Sequence, residues 1–217
     1  MKRTILTMCM AAMMLIAAAQ QKEEPGEIRT IFGHNDNVEH GAYGAITLEY
    51  SQIDSKDALL FGARGAWIIN HNIALGFAGK GIATVESYPE FNSLDSDFYL
   101  SGGYGGLLIE PILAPMSPVH VSFPVTIGAG GVAYTERHDF DGTYEEYRWD
   151  TWDASAFFVL EPGVEINLNL LKFMRLAIGG YYRYTAGLSL ESPNGVKESK
   201  DMLNGFSGGI SLKFGKF

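Results

Sequence analysis

The sequence predicts an all-β protein: a closed, antiparallel, up-and-down transmembrane β-barrel of about eight strands. Its longest alternating stretch is 155–185, where apolar residues recur at every second position on both sides of a polar break at 169–172. Alternation over arms of about ten residues indicates a hairpin whose strands can cross a bilayer when tilted. The opposite face carries acids on the first arm and arginines on the second. This pattern is typical of a barrel with lipid outside and a small polar lumen inside.

The chain divides into three predicted segments. Residues 1–19 contain two basic residues, an apolar run and three alanines, which predicts a secretory signal peptide cleaved after Ala19. A polar, irregular leader follows at 20–40 on the periplasmic side, and the barrel occupies 41–217. The only cysteine, Cys9, falls in the signal peptide. The exported chain should therefore have no disulfide, thiol nucleophile or cysteine-based metal site.

Charge and hydropathy exclude two classes of protein. The formal net charge is −9, and removal of the two basic residues of the signal peptide takes it to −11. So acidic a chain does not suit nucleic acid as a partner. No later segment has the apolar length of a transmembrane helix, so a bundle of membrane helices is excluded.

Eight alternating segments follow the leader. They lie at about 41–51, 58–69, 73–86, 98–110, 119–134, 155–168, 173–185 and 204–217. Each segment carries a row of apolar residues that we expect to face lipid. One residue from each row, in chain order, is Ile46, Phe61, Phe77, Phe98, Val125, Phe158, Ile178 and Ile210. In the fifth segment Pro124 has no N–H for the sheet, which predicts a bulge or the loss of a ladder bond.

The connections alternate in length, except that the first, at 52–57, is also short. The other short breaks are 70–72, 111–118 and 169–172, and the long ones are 87–97, 135–154 and 186–203. Because bacterial membrane barrels have short periplasmic turns and long outer loops, both chain ends should lie on the periplasmic side. Aromatic residues expected to form an outward interfacial girdle are Tyr50, Phe98, Tyr182, Tyr184 and Phe206 near the long loops, with Trp67 at the opposite rim.

Alternation alone does not say which face is inside, because a soluble lipocalin-like barrel alternates with its apolar face inward. Here the polar face consists mainly of Gly, Ala and Ser with isolated charges. It lacks the many Lys and Glu residues of a solvated exterior, whereas small residues fit a crowded lumen. We therefore favour the membrane barrel.

Several segments resemble the small outer-membrane β-barrels of Gram-negative bacteria, the OmpA/OmpX-like type, and among them a branch ending in Gly-Lys-Phe. The segments that carry the resemblance are 62–72, 161–164, Arg175, 181–184 and 205–217. The resemblance implies an outer-membrane location among membrane lipids. It also implies that the barrel-insertion machinery reads the last strand, with Phe214 or Phe217 as its aromatic signal. It brings no catalytic residues.

Seven charged residues are expected to point into the lumen: Arg64, Lys80, Glu86, Glu161, Glu165, Arg175 and Arg183. Such charges either pair into an ion network that fills the barrel or line a narrow path for ions or protons. Eight strands leave an interior that side chains just fill, which favours the network.

The most polar loop, 135–154, is predicted to be an acidic extracellular loop. Its main acids are Asp139, Asp141, Glu145, Glu146 and Asp150. Oxygen ligands of this kind suit a divalent cation, but no metal-ligand spacing is present, so no metal or cofactor is predicted.

Two histidines are weak candidates for catalysis. His138 adjoins Asp139, and His120 lies two residues from Ser122 on the same strand face. Neither brings a complete constellation of nucleophile, base and oxyanion hole. The sequence therefore favours a non-enzymatic barrel with a role in envelope structure or surface interaction through its long acidic loops. The alternatives are a lipid- or peptide-modifying outer-membrane enzyme, a pore for small solutes or ions, and a soluble lipocalin-like lipid binder. The surface ligand is not identified by any motif.

Overall fold

A computed structural model describes residues 39–85, 87–88, 96–138, 149–193 and 195–217. The predicted signal peptide and most of the predicted leader lie outside the described residues. In the ranges given, no helix is long and apolar enough to cross a membrane.

The described chain forms a single antiparallel sheet that closes on itself. Its strands are β1 (His40–Ile53), β2 (Lys56–Ile69), β3 (Ile73–Thr84), β4 (Ser96–Leu113), β5 (Val119–Ser122), β6 (Val125–His138), β7 (Trp149–Leu171), β8 (Met174–Ala186) and β9 (Gly205–Lys216). Each strand pairs with its neighbour in the chain, except that β5 and β6 both lie between β4 and β7. The last strand, β9, pairs with β1. Since β5 and β6 share one position, the barrel has eight positions, as the sequence predicted.

The break between β5 and β6 falls at Pro124, where the sequence predicted a disturbed ladder. The strand ends at Ser122 and resumes at Val125. The flanking backbone is still satisfied, because Gly163 N donates to Pro124 O at 2.8 Å. Phe123 N donates to Pro111 O at 2.9 Å. The proline thus interrupts the strand without opening the barrel.

The two ends of the barrel differ in their connections. The turns at 70–72, 114–118 and 172–173 lie at the end where β1 begins and β9 ends, which we call the terminal rim. The opposite end, the loop end, carries the tight turn at 54–55 and the connections that follow β3, β6 and β8. Both residues of the 54–55 turn have positive φ, which is the geometry of a two-residue hairpin whose twist matches its strands.

The exterior of the barrel is apolar. Phe77, Phe158 and Phe206 point outward with exposed fractions of 69%, 72% and 77%. The inward positions of the same sheet hold most of the charged side chains of the strands. A lipocalin-like barrel requires the reverse arrangement, whereas an apolar belt around a charged interior is the arrangement of an outer-membrane barrel.

One predicted member of the aromatic girdle lies on the wrong face. Phe98 is 4% exposed and points into the barrel, as do Leu100 and Tyr104 of the same strand. The prediction was wrong because the interior is itself apolar at this level, so alternation gave no sign of which face was inside. The remaining predicted girdle residues, Tyr50, Tyr182, Tyr184, Phe206 and Trp67, lie on the outer face.

Candidate functional site

The interior of the barrel consists of three layers. A loop-end core of apolar side chains lies beneath the long connections, and includes Leu60, Phe98 and Phe157. A charged layer lies at mid-barrel. A smaller terminal core, with Tyr43 and Ile68 among its members, fills the end nearest the terminal rim. The charged layer and the loop-end core are the two candidate functional regions.

Glu165 of β7 is the centre of the charged layer. Its Oε1 lies 2.6 Å from Arg64 Nη2, and its Oε2 lies 2.8 Å from Lys213 Nζ. Tyr181 donates its hydroxyl to Oε1 at 2.5 Å, and Ser122 donates to Oε2 at 3.3 Å. Both oxygens of this fully buried carboxylate are therefore bonded, as a charge removed from water requires.

Lys213 connects Glu165 to a second buried acid. Its Nζ lies 2.6 Å from Glu110 Oε1, and Tyr43 donates its hydroxyl to Oε2 of the same carboxylate. One lysine on β9 thus joins a carboxylate from β4, on the other side of the closed sheet, to a carboxylate from β7, two strands away.

A second cluster surrounds Lys80 of β3. Its Nζ lies 2.7 Å from Glu49 Oε1 and 2.8 Å from Glu161 Oε2. Tyr104 donates to Glu161 at 2.6 Å. The ring of Tyr181 lies 4.3 Å from Lys80 Nζ, so this tyrosine contacts both clusters.

Two glycines make room for Tyr181. A Cβ at Gly163 would overlap the tyrosine ring, and a Cβ at Gly179 would crowd Glu165 and the tyrosine hydroxyl. The small residues on the polar face therefore let large polar side chains fit within the lumen.

Two of the predicted lumen residues face inward and form no ion pair with a carboxylate of the described residues. The guanidinium carbon of Arg175 lies 3.9 Å from the centroid of the Phe217 ring. Arg183 is fully buried, and its Nε donates to Leu203 O at 2.7 Å. Within the described part of the chain, the two terminal nitrogens of Arg183 have no hydrogen-bond partner.

The structure therefore brings four predicted residues, Arg64, Lys80, Glu161 and Glu165, into direct ion pairs. Glu86 lies outside the described residues. Sequence reasoning omitted Glu49, Glu110 and Lys213 from the network. Glu49 and Lys213 already stood on polar strand faces and could have been included. Glu110 was missed because it shares the face of β4 that was expected to meet lipid.

The charged layer leaves little open space. A cavity among Thr47, Arg64, Lys80, Thr126 and Glu161 has a volume of about 10 Å³. That volume holds about one water molecule. Around this cavity, the paired side chains of the two clusters occupy the middle of the barrel.

The connection at 187–204 forms a cap over the loop end. Leu188, Leu190 and Leu203 are buried in the loop-end core. Hydrogen bonds connect the cap to the strands. Its backbone nitrogens at Ser189 and Glu191 donate to β7, to Ser155 Oγ at 2.8 Å and to Asp153 Oδ2 at 2.7 Å. At its other end, Asn204 Oδ1 accepts from Thr185 N of β8 at 2.6 Å. Its tip projects, where Val196 is 62% exposed.

The predicted catalytic candidates do not form a catalytic pair in the described structure. His120 Nδ1 lies 3.3 Å from Ser117 O. The neighbouring Ser122 is engaged by Glu165 and by Asn167, whose Nδ2 donates to it at 2.9 Å. His138 ends β6, and its side chain lies outside the described residues.

The acids of the predicted extracellular loop fall mainly outside the described residues. This holds for Asp139, Asp141, Glu145 and Glu146, and for the side chain of Asp150 in β7. Among the residues that the structure does describe, no group of three or more His, Cys, Asp or Glu could hold a metal ion.

The two aromatics of the predicted insertion signal lie on different faces. Phe214 is 42% exposed on the outside. Phe217 turns inward and stacks on Tyr43, with 6.1 Å between the ring centroids. Only Phe214 is in phase with the lipid-facing row of β9.

No protein-family model matches the chain, and no curated protein matches it in sequence. Solved structures with a similar fold include Neisserial surface protein A, at 11% identity and a TM-score of 0.48, covering 84% of this chain and 100% of that one. The N-terminal β-barrel domain of Pseudomonas aeruginosa OprF is similar at 9% identity and a TM-score of 0.43, covering 82% and 99%. Ail, the attachment invasion locus protein of Yersinia pestis, is similar at 11% identity and a TM-score of 0.41, covering 81% and 97%. These likenesses add nothing about function, and the assignment of this chain as a small outer-membrane β-barrel rests on its own closed sheet and apolar exterior.

Proposed function

We propose that the protein is a non-enzymatic and non-conducting barrel of the outer membrane that acts in envelope structure or surface interaction through its loop end. The observation that carries this proposal is the filled interior. Paired charges occupy mid-barrel, and an apolar core closed by the cap lies above them. An interior of this kind supports a scaffold that presents its loops, because it offers no open path to solutes.

The charge of the loop end favours a cationic partner. Six described acids lie there with three lysines: Asp54, Asp57, Asp153, Glu191, Glu198 and Asp201, with Lys56, Lys197 and Lys200. Residues 139–148 of the predicted acidic loop, with four further acids and one arginine, add to this excess. An acidic surface attracts a basic partner and repels an acidic one, which affects the rate and selectivity of binding more than its strength.

The route to the membrane belongs to the same proposal. The predicted signal peptide, 1–19, directs export, and the barrel-insertion machinery then reads the last strand. Phe214 supports this role better than Phe217, because its side chain lies on the face available to a partner before insertion.

The test compares loop and lumen variants of the full-length protein in the outer membrane. Replacing 139–148 with Gly and Ser residues of equal number should weaken adhesion to a polylysine-coated surface, because it removes four of the acids. Lys172→Gln, at the opposite end of the barrel, is the matched control and should leave adhesion unchanged. Folding of each variant is checked by its heat-modifiable mobility on gels.

The same material distinguishes the rival functions. We expect no conductance from the purified protein in planar bilayers. Conductance that changes in Glu161→Gln would instead establish a pore. Loss of a lipid or peptide modification in His138→Ala or His120→Ala, with normal insertion, would establish an enzyme.

A further inference from the structure

The terminal rim is polar on one side and apolar on the other. On the polar side lie Glu39, His40, Lys216 and the turn at 70–72, which reads Asn-His-Asn. On the apolar side lie the turn at 114–118 and the residues around the β7–β8 turn, 170–173, which read Leu-Leu-Lys-Phe.

The side chains of the apolar half project outward. Met116 is 73% exposed, Phe173 is 56% exposed and Leu171 is 50% exposed. The two turns are neighbours, because Asn169 N donates to Pro118 O and Asn169 Nδ2 donates to Ser117 O, both at 2.9 Å. The exposed residues therefore form one surface, which we call the apolar rim (113–119 and 170–173).

The apolar rim is continuous with the lipid-facing belt. Along β4 the outward positions leading to the turn are Ile109, Pro111 and Leu113, and along β7 they run through Ile166 to Leu170. No charged residue occupies an outward position between the belt and the turns on these strands. On the polar side, by contrast, the belt ends before Asn70.

Several backbone groups of the apolar rim are already bonded within the protein. Ser117 N donates to Ala114 O, and Phe173 O accepts from Gly215 N, both at 2.9 Å. Pro115 and Pro118 have no N–H to satisfy. A turn that enters lipid needs this property, because the hydrocarbon offers no water to unpaired backbone groups.

We propose that the apolar rim is immersed in the periplasmic leaflet of the membrane, so that the barrel is tilted with the β4–β5 and β7–β8 turns sunk into lipid. The turn at 70–72 then remains in water. Lys172, the one charged residue of the apolar rim, extends its amine toward the lipid phosphates while its stem lies along the apolar surface.

This inference concerns only how the barrel sits in a bilayer and does not depend on the role of the loops. Its failure and that of the proposed function can thus be told apart. Lipid is the occupant that the apolar rim favours, because the lipid-facing belt leads directly into this rim. A periplasmic protein and a second copy of the chain are the competing occupants.

The test uses single cysteines, because a chain beginning at Gln20 contains none. Met116→Cys and Leu171→Cys report on the apolar rim. Asn72→Cys is the control for water, and Phe77→Cys, in the belt, is the control for lipid. Each full barrel is nitroxide-labelled and reconstituted in phosphatidylcholine vesicles, and its collisions with oxygen and with a water-soluble nickel chelate are measured.

We expect the labels at 116 and 171 to behave like the label at 77, with a several-fold lower accessibility to nickel than the label at 72. Equal nickel accessibility at 116, 171 and 72 would overturn the proposal. Spin–spin broadening at 116 or 171 would also overturn it, in favour of a second copy. The proposal would also fail if the labels at 116 and 171 were accessible to nickel in vesicles but protected in native outer membranes. That result would indicate a periplasmic protein as the occupant. Two independent positions keep the test decisive if one variant folds poorly.

Discussion

The loop-end core and the charged layer occupy the same barrel, but apolar packing holds the first together and ion pairs hold the second together. The core receives Leu188, Leu190, Met202 and Leu203 from the cap and packs them against strand residues such as Phe157. The charged layer is built from strand residues alone, and each of its carboxylates has a cation within 2.8 Å.

The difference follows from what surrounds each region. The cap lies at a water-facing end, so its leucines gain free energy by leaving water for the core. At mid-barrel the outside is lipid, and an apolar side chain gains little by exchanging lipid for protein. A charged side chain at that level must point inward and find a partner. Four predictions test this contrast.

The largest loss of stability is expected when Glu165, the centre of the charged layer, is replaced. Glu165→Ala leaves Arg64 and Lys213 with one fewer partner in a buried site. Loss of one member of a buried ion pair costs about 3–5 kcal/mol, so the free energy of unfolding should fall by that amount. Urea unfolding in lipid vesicles, followed by gel mobility, measures it.

The control for this prediction is Glu191→Ala, at an exposed position in the cap. Its unfolding free energy should stay within about 0.5 kcal/mol of the wild type. A loss of less than about 1 kcal/mol in Glu165→Ala would mean that water enters the layer and screens its charges.

A smaller loss of stability is expected from a substitution in the loop-end core. Leu203→Ala deletes a fully buried side chain from the cap. Leucine-to-alanine changes in cores cost about 2–5 kcal/mol, and we expect the lower end because a loop can settle into the space. Faster proteolysis within 187–204 should accompany the loss of stability.

Val196→Ala, at the exposed tip of the same cap, is the matched control and should change neither stability nor proteolysis. If Leu203→Ala behaves like Val196→Ala, the cap is not part of the packed core.

The same contrast explains what could be predicted from the sequence. At mid-barrel a polar residue at every second position indicated the inner face, and Arg64, Lys80 and Glu165 were assigned correctly to it. At the loop end both faces are apolar, as adjacent Phe157 and Phe158 illustrate, one buried and one exposed. Alternation then carries no information about the inner face, which is why Phe98 was assigned outward.

The remaining misses have a related cause. Glu110 was missed because it lies on the face of β4 that was assigned to lipid. The cap could not be predicted, because 187–204 has no strand or helix periodicity and its buried leucines are brought inward by long-range hydrogen bonds. Which cation pairs with which carboxylate depends on closure of the sheet, which local pattern does not contain.

A third prediction compares two of the buried arginines of the interior, Arg183 and Arg64. Arg183→Met should change the free energy of unfolding by less than about 1 kcal/mol, because it removes a buried charge whose terminal nitrogens bond to none of the described residues. Arg64→Met, the matched change, should lose about 3 kcal/mol because it strips Glu165 of a partner. Equal losses in the two variants would show that Arg183 is held by the charges around it as firmly as Arg64.

The smallest contribution to stability is expected from the ion pair on the polar side of the terminal rim. His71 Nε2 lies 2.6 Å from Glu39 Oε2, the same separation as between Arg64 and Glu165. The side chain of Glu39 is 72% exposed, however, whereas that of Glu165 is 0% exposed. Exposed pairs contribute about 0–1 kcal/mol because water screens them and ordering two side chains costs entropy. Double-mutant cycles with alanine at each pair should therefore give a coupling energy below about 1 kcal/mol for His71–Glu39 and a several-fold larger one for Arg64–Glu165. Equal coupling energies would mean that distance, rather than burial, determines the strength of ion pairs in this barrel, and the contrast between its regions would lose its physical basis.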